Sequence, residues 1–216
     1  NAAQDIALNS GDITANNGNV IMTAVETVTM EAGSIRTNVV DVHAAQLNVN
    51  GGTINVGTLA ASKGLNIASN SSNTTNITAN NITAGGSIGI TGGNVVTTSV
   101  AADEALNITG GTVSSDGAVS LSGATGVAIG SAATINTGGD LTISSSGGSV
   151  TNNRALTANG GSVTLSGQTD VINSASITAA QDVTMTATTG NLSNSKVVKA
   201  NGGNINLTGG TNINLQ

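Results

Sequence analysis

The chain has no tryptophan, tyrosine, phenylalanine, proline or cysteine, and only 7% of its residues are charged. Without aromatic residues it cannot fill a core with the large flat side chains on which most globular domains rely. Without cysteine it can form neither disulfides nor cysteine-based metal sites. What remains is small or β-branched apolar material together with 30 glycines. A hydrophobic content of 38% and a mean hydropathy of +0.15 argue against disorder, so the apolar groups require a narrow core.

Charge is both sparse and unbalanced, with 11 acidic and five basic residues and a net charge of −6. The basic residues form no stripe that could displace counterions from phosphates, which excludes a nucleic-acid partner. No apolar run approaches the roughly 18 residues of a membrane helix, so we expect no membrane span. Residues 2–8 echo residues 179–185, so the sequence begins within the pattern. We therefore expect residues 1–216 to be a single repeat segment, internal to a larger chain.

An internal repeat supplies the strongest signal for the fold. Its anchor residues Ile135, Leu156, Ile177 and Val198 recur at one constant interval of about 21 residues, and a repeat of this length indicates a solenoid. A short apolar-x-apolar segment follows every anchor, as in Val163-Thr164-Leu165. Such alternation is typical of a strand with one buried face.

Looser copies of the unit precede these four, and about three short strands fit into each period. The anchors Val40, Leu59, Ile82 and Val100 are followed by Leu47/Val49, Leu65/Ile67, Ile88/Ile90 and Leu106/Ile108. We align these four pairs with Val119/Leu121 and Val163/Leu165 as the second strand of the unit. The third strand is assigned to Val28/Met30, Val127/Ile129, Val150, Val171, Leu192 and Ile213.

The expected fold is an all-β, right-handed, single-stranded parallel β-helix. It would have about ten coils of 18–23 residues with three short strands per coil, stacked about 4.8 Å apart into a rod of about 50 Å. Nine Gly-Gly pairs are expected to mark corners, through backbone angles that other residues rarely adopt. Thr, Asn and Ser between the buried positions would face water.

The units Ala-Asn-Gly-Gly-Ser-Val-Thr-Leu (158–165), Ala-Asn-Gly-Gly-Asn-Ile-Asn-Leu (200–207) and Thr-Gly-Gly-Asp-Leu-Thr-Ile (137–143) carry a family resemblance. The chain resembles the haemagglutinin-type repeats of filamentous haemagglutinin-like exoproteins of the two-partner-secretion class. The resemblance implies a secreted or cell-surface location in a Gram-negative bacterium, and a structural shaft for adhesion, extracellular fibres or biofilm. The implied partners are neighbouring repeats, other copies in a fibre, a surface glycan or protein, and an outer-membrane secretion barrel. The Asn-Pro motif of that family's secretion domain does not occur here, because the chain has no proline.

Two alternative functions compete with the shaft. A carbohydrate-active β-helix enzyme, such as a polysaccharide lyase or hydrolase, would require at least two acids within about 10 Å in a groove. Only Asp103 and Glu104 are adjacent, and we interpret them as a solvated corner. An ice-binding solenoid would need a continuous Thr-x-Thr face, which the outward positions do not show. We therefore predict no catalytic residues, no cofactor and no metal site, and no enzymatic activity.

Individual polar residues suggest structural roles. Asp5, Asp140 and Asp182 share a corner of the repeat and are expected to cap turns through local hydrogen bonds to the main chain. His43 is the only histidine and has no cysteine or second histidine with which to bind a transition metal.

One segment, residues 68–76, interrupts the apolar pattern with Ser, Asn and Thr. It predicts an exposed loop. The Asn-x-Ser/Thr sequons around it mark the candidate exposed-loop or glycan-attachment residues Asn70, Asn73, Asn76 and Asn81.

Overall fold

The computed structural model describes residues 4–216, which form β-strands joined by short turns. In chain order the strands are β1 (Asp5–Leu8), β2 (Asp12–Thr23), β3 (Thr27–Met30), β4 (Ser34–His43), β5 (Gln46–Val49), β6 (Gly52–Ala61), β7 (Gly64–Ile67), β8 (Thr75–Ala84), β9 (Ile88–Ile90), β10 (Asn94–Val96), β11 (Ser99–Ala102), β12 (Ala105–Ile108), β13 (Thr112–Ser115), β14 (Val119–Gly123), β15 (Gly126–Ile129), β16 (Thr134–Thr137), β17 (Leu141–Ser145), β18 (Ser149–Asn152), β19 (Leu156–Ala158), β20 (Val163–Gly167), β21 (Val171–Asn173), β22 (Ile177–Ala179), β23 (Val183–Ala187), β24 (Leu192–Asn194), β25 (Val198–Ala200), β26 (Ile205–Gly209) and β27 (Ile213–Leu215). No helix occurs in the described part, so none there could cross a membrane.

The strands stack in parallel as a β-solenoid. Sheet A has 11 strands in the order β1-β3-β5-β7-β9-β12-β15-β18-β21-β24-β27. Sheet B consists of two stacked columns. Column B1 contains β10, β13, β16, β19, β22 and β25, and column B2 contains β11, β14, β17, β20, β23 and β26. The longer strands β2, β4, β6 and β8 run through both columns, so the three-strand coil is distinct only from β9 onward.

Coil length is read from the residues that stack on one another in sheet A. The central ladder runs from Ile6 and Val28 through to Leu192 and Ile213. Successive members of this ladder are separated by about 18–23 residues, the length of one solenoid repeat. About ten coils result, which confirms the predicted number and length.

The core is a narrow stack of aliphatic side chains. Val163 and Leu165 are fully buried, whereas Thr164 between them is half-buried on the outer face. The same alternation runs along β14, β17, β20 and β23. Each fully buried leucine, isoleucine or valine contributes about 1.5–3 kcal/mol relative to an exposed one, so a core without aromatic residues is sufficient when it continues through every coil.

The predicted alignment of the early copies was wrong by one strand. Leu47, Leu65, Ile88 and Leu106 lie in sheet A, where they stack in register with Val127. In column B2 the residues in register with Leu121 and Leu165 are instead Val40, Leu59, Ile82 and Val100. All three strands of a coil have the same apolar-x-apolar sequence followed by a polar corner. The pattern therefore identifies which residues are buried but not the sheet to which a strand belongs.

The reason given for the Gly-Gly pairs was also largely wrong, although most of them do lie at corners. All nine pairs lie within the described part, and a left-handed backbone angle occurs in only three, at Gly52, Gly93 and Gly111. At other corners the side chain is excluded by the coil beneath. A β-carbon on Gly161 would overlap Asp140 Oδ1, and one on Gly203 would overlap Asp182 Oδ1.

A buried asparagine ladder interrupts the aliphatic core. The sheet A ladder that contains Ile129 continues as Asn152, Asn173 and Asn194 and returns to Leu215. The three asparagines are 0%, 1% and 8% exposed. Asn152 Nδ2 donates to Asn173 Oδ1 at 2.7 Å, and Asn173 Nδ2 donates to Asn194 Oδ1 at 2.6 Å. The amides thus satisfy one another through the coils, as buried polar groups must.

Candidate functional sites

The segment predicted to be an exposed loop leaves the solenoid between β7 and β8. Residues 68–74, here called the polar loop, lie outside any strand, and residues 71–74 are exposed. The base of the loop is closed where Thr75 Oγ1 donates to the carbonyl of Ala68 and the Thr75 amide donates to Ser69 Oγ at 3.0 Å. Residues 68–74 thus form a loop whose base is tied to the solenoid, whereas the interruption in the sequence extends to residue 76, which already lies in β8.

A carboxylate two coils away holds the start of the polar loop. Glu31 Oε1 accepts a hydrogen bond from Asn50 Nδ2 at 2.9 Å, and Glu31 Oε2 accepts one from Asn70 Nδ2 at 3.2 Å. Asn70 Oδ1 in turn accepts from the main-chain amides of Ser72 and Asn73, at 2.9 and 2.6 Å. Glu31, Asn50 and Asn70 together form what we call the loop clamp, which joins three successive corners.

The four candidate asparagines have different environments. Asn70 belongs to the loop clamp, so both ends of its amide are engaged. Asn73 is exposed in the polar loop. Asn76 and Asn81 lie in β8 with exposed side chains, and Asn76 Oδ1 accepts from Asn94 Nδ2 at 3.1 Å. The structure thus does not gather the four residues into one site, and glycan attachment stays a prediction, with Asn73 the most accessible acceptor in the polar loop.

The corner aspartates do cap the main chain, but the prediction that they act locally was wrong. Asp140 Oδ1 accepts from the amide of Ser162 at 2.8 Å, and Asp182 Oδ1 accepts from the amide of Asn204 at 2.6 Å. The prediction that Asp5 shares this corner was wrong, because Asp5 begins β1 in sheet A whereas Asp140 and Asp182 precede strands of column B2. Its Oδ1 nevertheless accepts from the Thr27 amide at 3.1 Å. Each bond therefore reaches 22 residues ahead, to the next coil. The stacking of coils, which is invisible in a local window, supplies the amide.

Asp103 and Glu104 lie at the turn between β11 and β12 and are both exposed, which confirms that they form a solvated corner. Glu104 Oε2 accepts from Ser87 Oγ at 3.0 Å. His43 is also exposed, and its Nε2 lies 3.1 Å from Asp41 Oδ2.

A carbohydrate-active enzyme would need two acids to converge in one groove. The grooves beside Asp12, Glu104, Asp116 and Asp170 each contain a single acid. Asp140 and Asp182 share one corner, where Ser162 of the intervening coil separates them, so they are two coils or about 10 Å apart. Each of these two carboxylates is bonded to a main-chain amide. None of these four grooves brings two acids together; the prediction that the chain is not an enzyme remains a prediction.

The outer face of column B2 carries two parallel rows of hydroxyl groups. One row is Ser120, Thr142, Thr164 and Thr184, and it leads to Asn206; the other row is Ser122, Ser144, Ser166, Thr186 and Thr208. A Thr-x-Thr unit occurs only at Thr184 and Thr186. In earlier coils the rows contain Val39, Asp41, Ala60 and Ala101. The continuous threonine face that ice binding would need does not occur in this column.

Comparison with known proteins adds one structural neighbour. No family model matches the chain, and no curated protein matches its sequence. A solved structure, the Tapirin C-terminal domain of Caldicellulosiruptor kristjanssonii, aligns over 99% of this chain and 92% of its own, with 12% identity and a TM-score of 0.36. At that score the likeness carries no functional argument. The resemblance to filamentous haemagglutinin repeats therefore stays a hypothesis from the sequence.

Sequence reasoning missed the asparagine ladder and the loop clamp. The ladder had a signal, because Asn152, Asn173 and Asn194 follow the period of the repeat, two positions after Val150, Val171 and Leu192. The clamp had none, because Glu31 and Asn70 are 39 residues apart and meet only when coils of unequal length are stacked.

Proposed function

We propose that this chain is a stretch of the structural shaft of a large secreted bacterial adhesin or extracellular fibre. In this role it projects adhesive or aggregating regions from a Gram-negative cell surface or assembles them into fibres. The observation that carries the proposal is continuity: parallel hydrogen bonding links each coil to the next in sheet A and in sheet B, and one aliphatic core runs through them.

Such continuity suits a shaft for a physical reason. Each coil contacts only its neighbours, so stiffness along the axis arises from many repeated main-chain hydrogen bonds rather than from one large core. Small polar residues on the outside leave few flexible or apolar positions for proteases. Sites of chemistry are not required for this role, and the scattered acids are compatible with it.

The partners in the proposal follow from the same architecture. Neighbouring repeats of the same protein are the first of these partners, because each internal coil pairs its strands with the coils above and below and buries its aliphatic ladder against them. Other copies in a fibre, a surface glycan or protein, and an outer-membrane secretion barrel complete the set of proposed partners.

Force spectroscopy on the chain, held at its two ends, tests the shaft. We expect stepwise extension, with each step releasing one coil, or about 70 Å of extended chain. Electron microscopy should show straight rods about 50 Å long. Release of the whole chain in one event, or a compact rounded particle, would contradict a shaft built from coils that act through their neighbours.

A further inference from the structure

A shallow groove crosses the outer face of sheet A at residues 85–89. It encloses about 740 Å³. Ser87 and Gly89 are the outward positions of this strand, so it presents little side chain there, while Gly86 and Ile88 are buried. The coils on either side have longer side chains at Lys63, Asn66, Glu104 and Asn107, which form two walls, and Gln46 lines the groove one coil further on. We call this feature the trough.

The walls are built from matching residues one coil below and one coil above the floor. Gly89 stacks between Asn66 and Asn107. At the corner, Gly86 is placed between Lys63 and Glu104, because its amide donates to the Lys63 carbonyl at 3.1 Å and its carbonyl accepts from the Glu104 amide at 3.3 Å. Each wall thus has one carboxamide and one charge, and the strands that carry the walls are two coils or about 9.6 Å apart.

The groups on the walls are available to a ligand. Within residues 4–216, the side chains of Asn66, Asn107 and Lys63 have no hydrogen-bond partner, and Glu104 is held in place by the Ser87 hydroxyl at 3.0 Å. A carboxamide offers both a donor and an acceptor. The charges of Lys63 and Glu104 are opposite, so the trough favours a ligand without net charge.

We propose that the trough binds a saccharide unit of a neutral glycan. The strands that carry the walls are about 9.6 Å apart, so the carboxamides of Asn66 and Asn107 can each bond a hydroxyl of the same saccharide unit. Asn66 Oδ1 lies beside the glycine floor, where it can accept a hydrogen bond from such a hydroxyl. The inference deepens the adhesive part of the proposed function, on which it rests, by naming a partner class and a site.

Other ligand classes fit less well. Extended peptides bind by adding a strand to an open sheet edge or by placing apolar side chains in pockets. Neither is offered here, because both edges of β7, β9 and β12 are paired and the apolar residues of the floor point inward. A sulfated glycan would meet Lys63 but be repelled by Glu104 across the trough. Without an aromatic platform a single site should be weak, with a dissociation constant of about 1 mM, and copies arrayed along a fibre would raise the avidity.

The test is a titration of the isotope-labelled chain, followed by NMR, with maltohexaose and chitotetraose as neutral probes and a heparin hexasaccharide as the sulfated probe. We expect a neutral probe to shift the amides of residues 85–89, Asn66 and Asn107. The Gly89→Asn variant should weaken this binding at least about tenfold. The substitution fills the floor with asparagine, the residue that adjoining coils already have at positions 48, 66 and 107. A β-carbon at position 89 would meet only Asn66 Oδ1, at 3.3 Å.

Gly126→Asn is the matched control, because it also adds a side chain to the outer face of sheet A but lies outside the trough. It should bind the probe like the unaltered chain, and both variants should keep its melting temperature. The proposal is overturned if neither neutral probe shifts the trough at its solubility limit, if Gly89→Asn binds normally, or if only the heparin fragment binds. Any of these results would leave the force measurement, and with it the shaft, unaffected.

Discussion

Replacing Asn173 with alanine tests whether the buried asparagine ladder acts as one unit. The Asn173 side chain is 1% exposed and makes three hydrogen bonds: it accepts from Asn152 Nδ2 at 2.7 Å, and it donates to Asn194 Oδ1 and to the Ala175 carbonyl, both at 2.6 Å. Alanine removes all three bonds and leaves the buried amides of Asn152 and Asn194 without these partners, whereas Ala175 is only half-buried.

The expected cost is large for a single polar residue. A lost hydrogen bond costs about 1 kcal/mol where its partner can reach water, and about 1–3 kcal/mol where the partner stays buried and unsatisfied. Allowing for partial rearrangement, Asn173→Ala should lower the free energy of local opening by about 3–6 kcal/mol. Hydrogen exchange of the amides in β18, β21 and β24 should then be faster by about a hundredfold or more, because 1.4 kcal/mol corresponds to a factor of about ten.

The triple replacement of Asn152, Asn173 and Asn194 by leucine is the sharper comparison. It removes donors and acceptors together and extends the aliphatic ladder from Ile129 to Leu215. Only the main-chain groups that the amides now serve, such as the Ala175 carbonyl, lose a partner. We therefore expect the triple variant to be destabilised less than the single one. If Asn173→Ala leaves exchange in these strands unchanged, or if the triple variant is destabilised as much as the single one or more, the reasoning fails.

Three further outcomes follow from the packing between coils. Leu165→Asp places a charge in the core, so protease should cut the coils around β20 while distant coils stay protected. Thr164→Asp, on the outer face, should change little. A single global melting event would refute this local response. Gly161→Ala should lower the melting temperature because its β-carbon would overlap the coil beneath. Gly117→Ala should be tolerated, because the atom nearest to its β-carbon would be 3.9 Å away. Equal stability of the two variants would contradict the steric argument. Glu31→Ala removes the centre of the loop clamp, and limited proteolysis should then cut the polar loop several times faster; an unchanged rate would show that Glu31 does not hold it.

Much of the fold could be predicted because inside and outside are encoded locally. Val163, Thr164 and Leu165 alternate in polarity, and the anchors from Ile135 to Val198 recur at a constant interval, so both the strands and their stacking follow from a short window and a period. The polar loop was predictable for the same reason, because it breaks that pattern.

The candidate sites could not be predicted, since they are formed by residues on different coils. Asp140 was expected to bond within its own turn, but the amide that it binds belongs to Ser162 on the next coil. The walls of the trough, at Asn66 and Asn107, lie on either side of a glycine that looks like any other glycine in the repeat.

By itself, the sequence determined that this chain is a parallel stack of about ten coils with an aliphatic interior, because short apolar-x-apolar strands that recur about every 21 residues bury their apolar side by stacking coil on coil. Only the tertiary structure decided which sheet each strand joins, which polar groups stack inside, and which side chains meet across coils. The physical reason is that the coils differ in length, so the vertical neighbours of a residue depend on the turns in between and not on a fixed spacing along the chain.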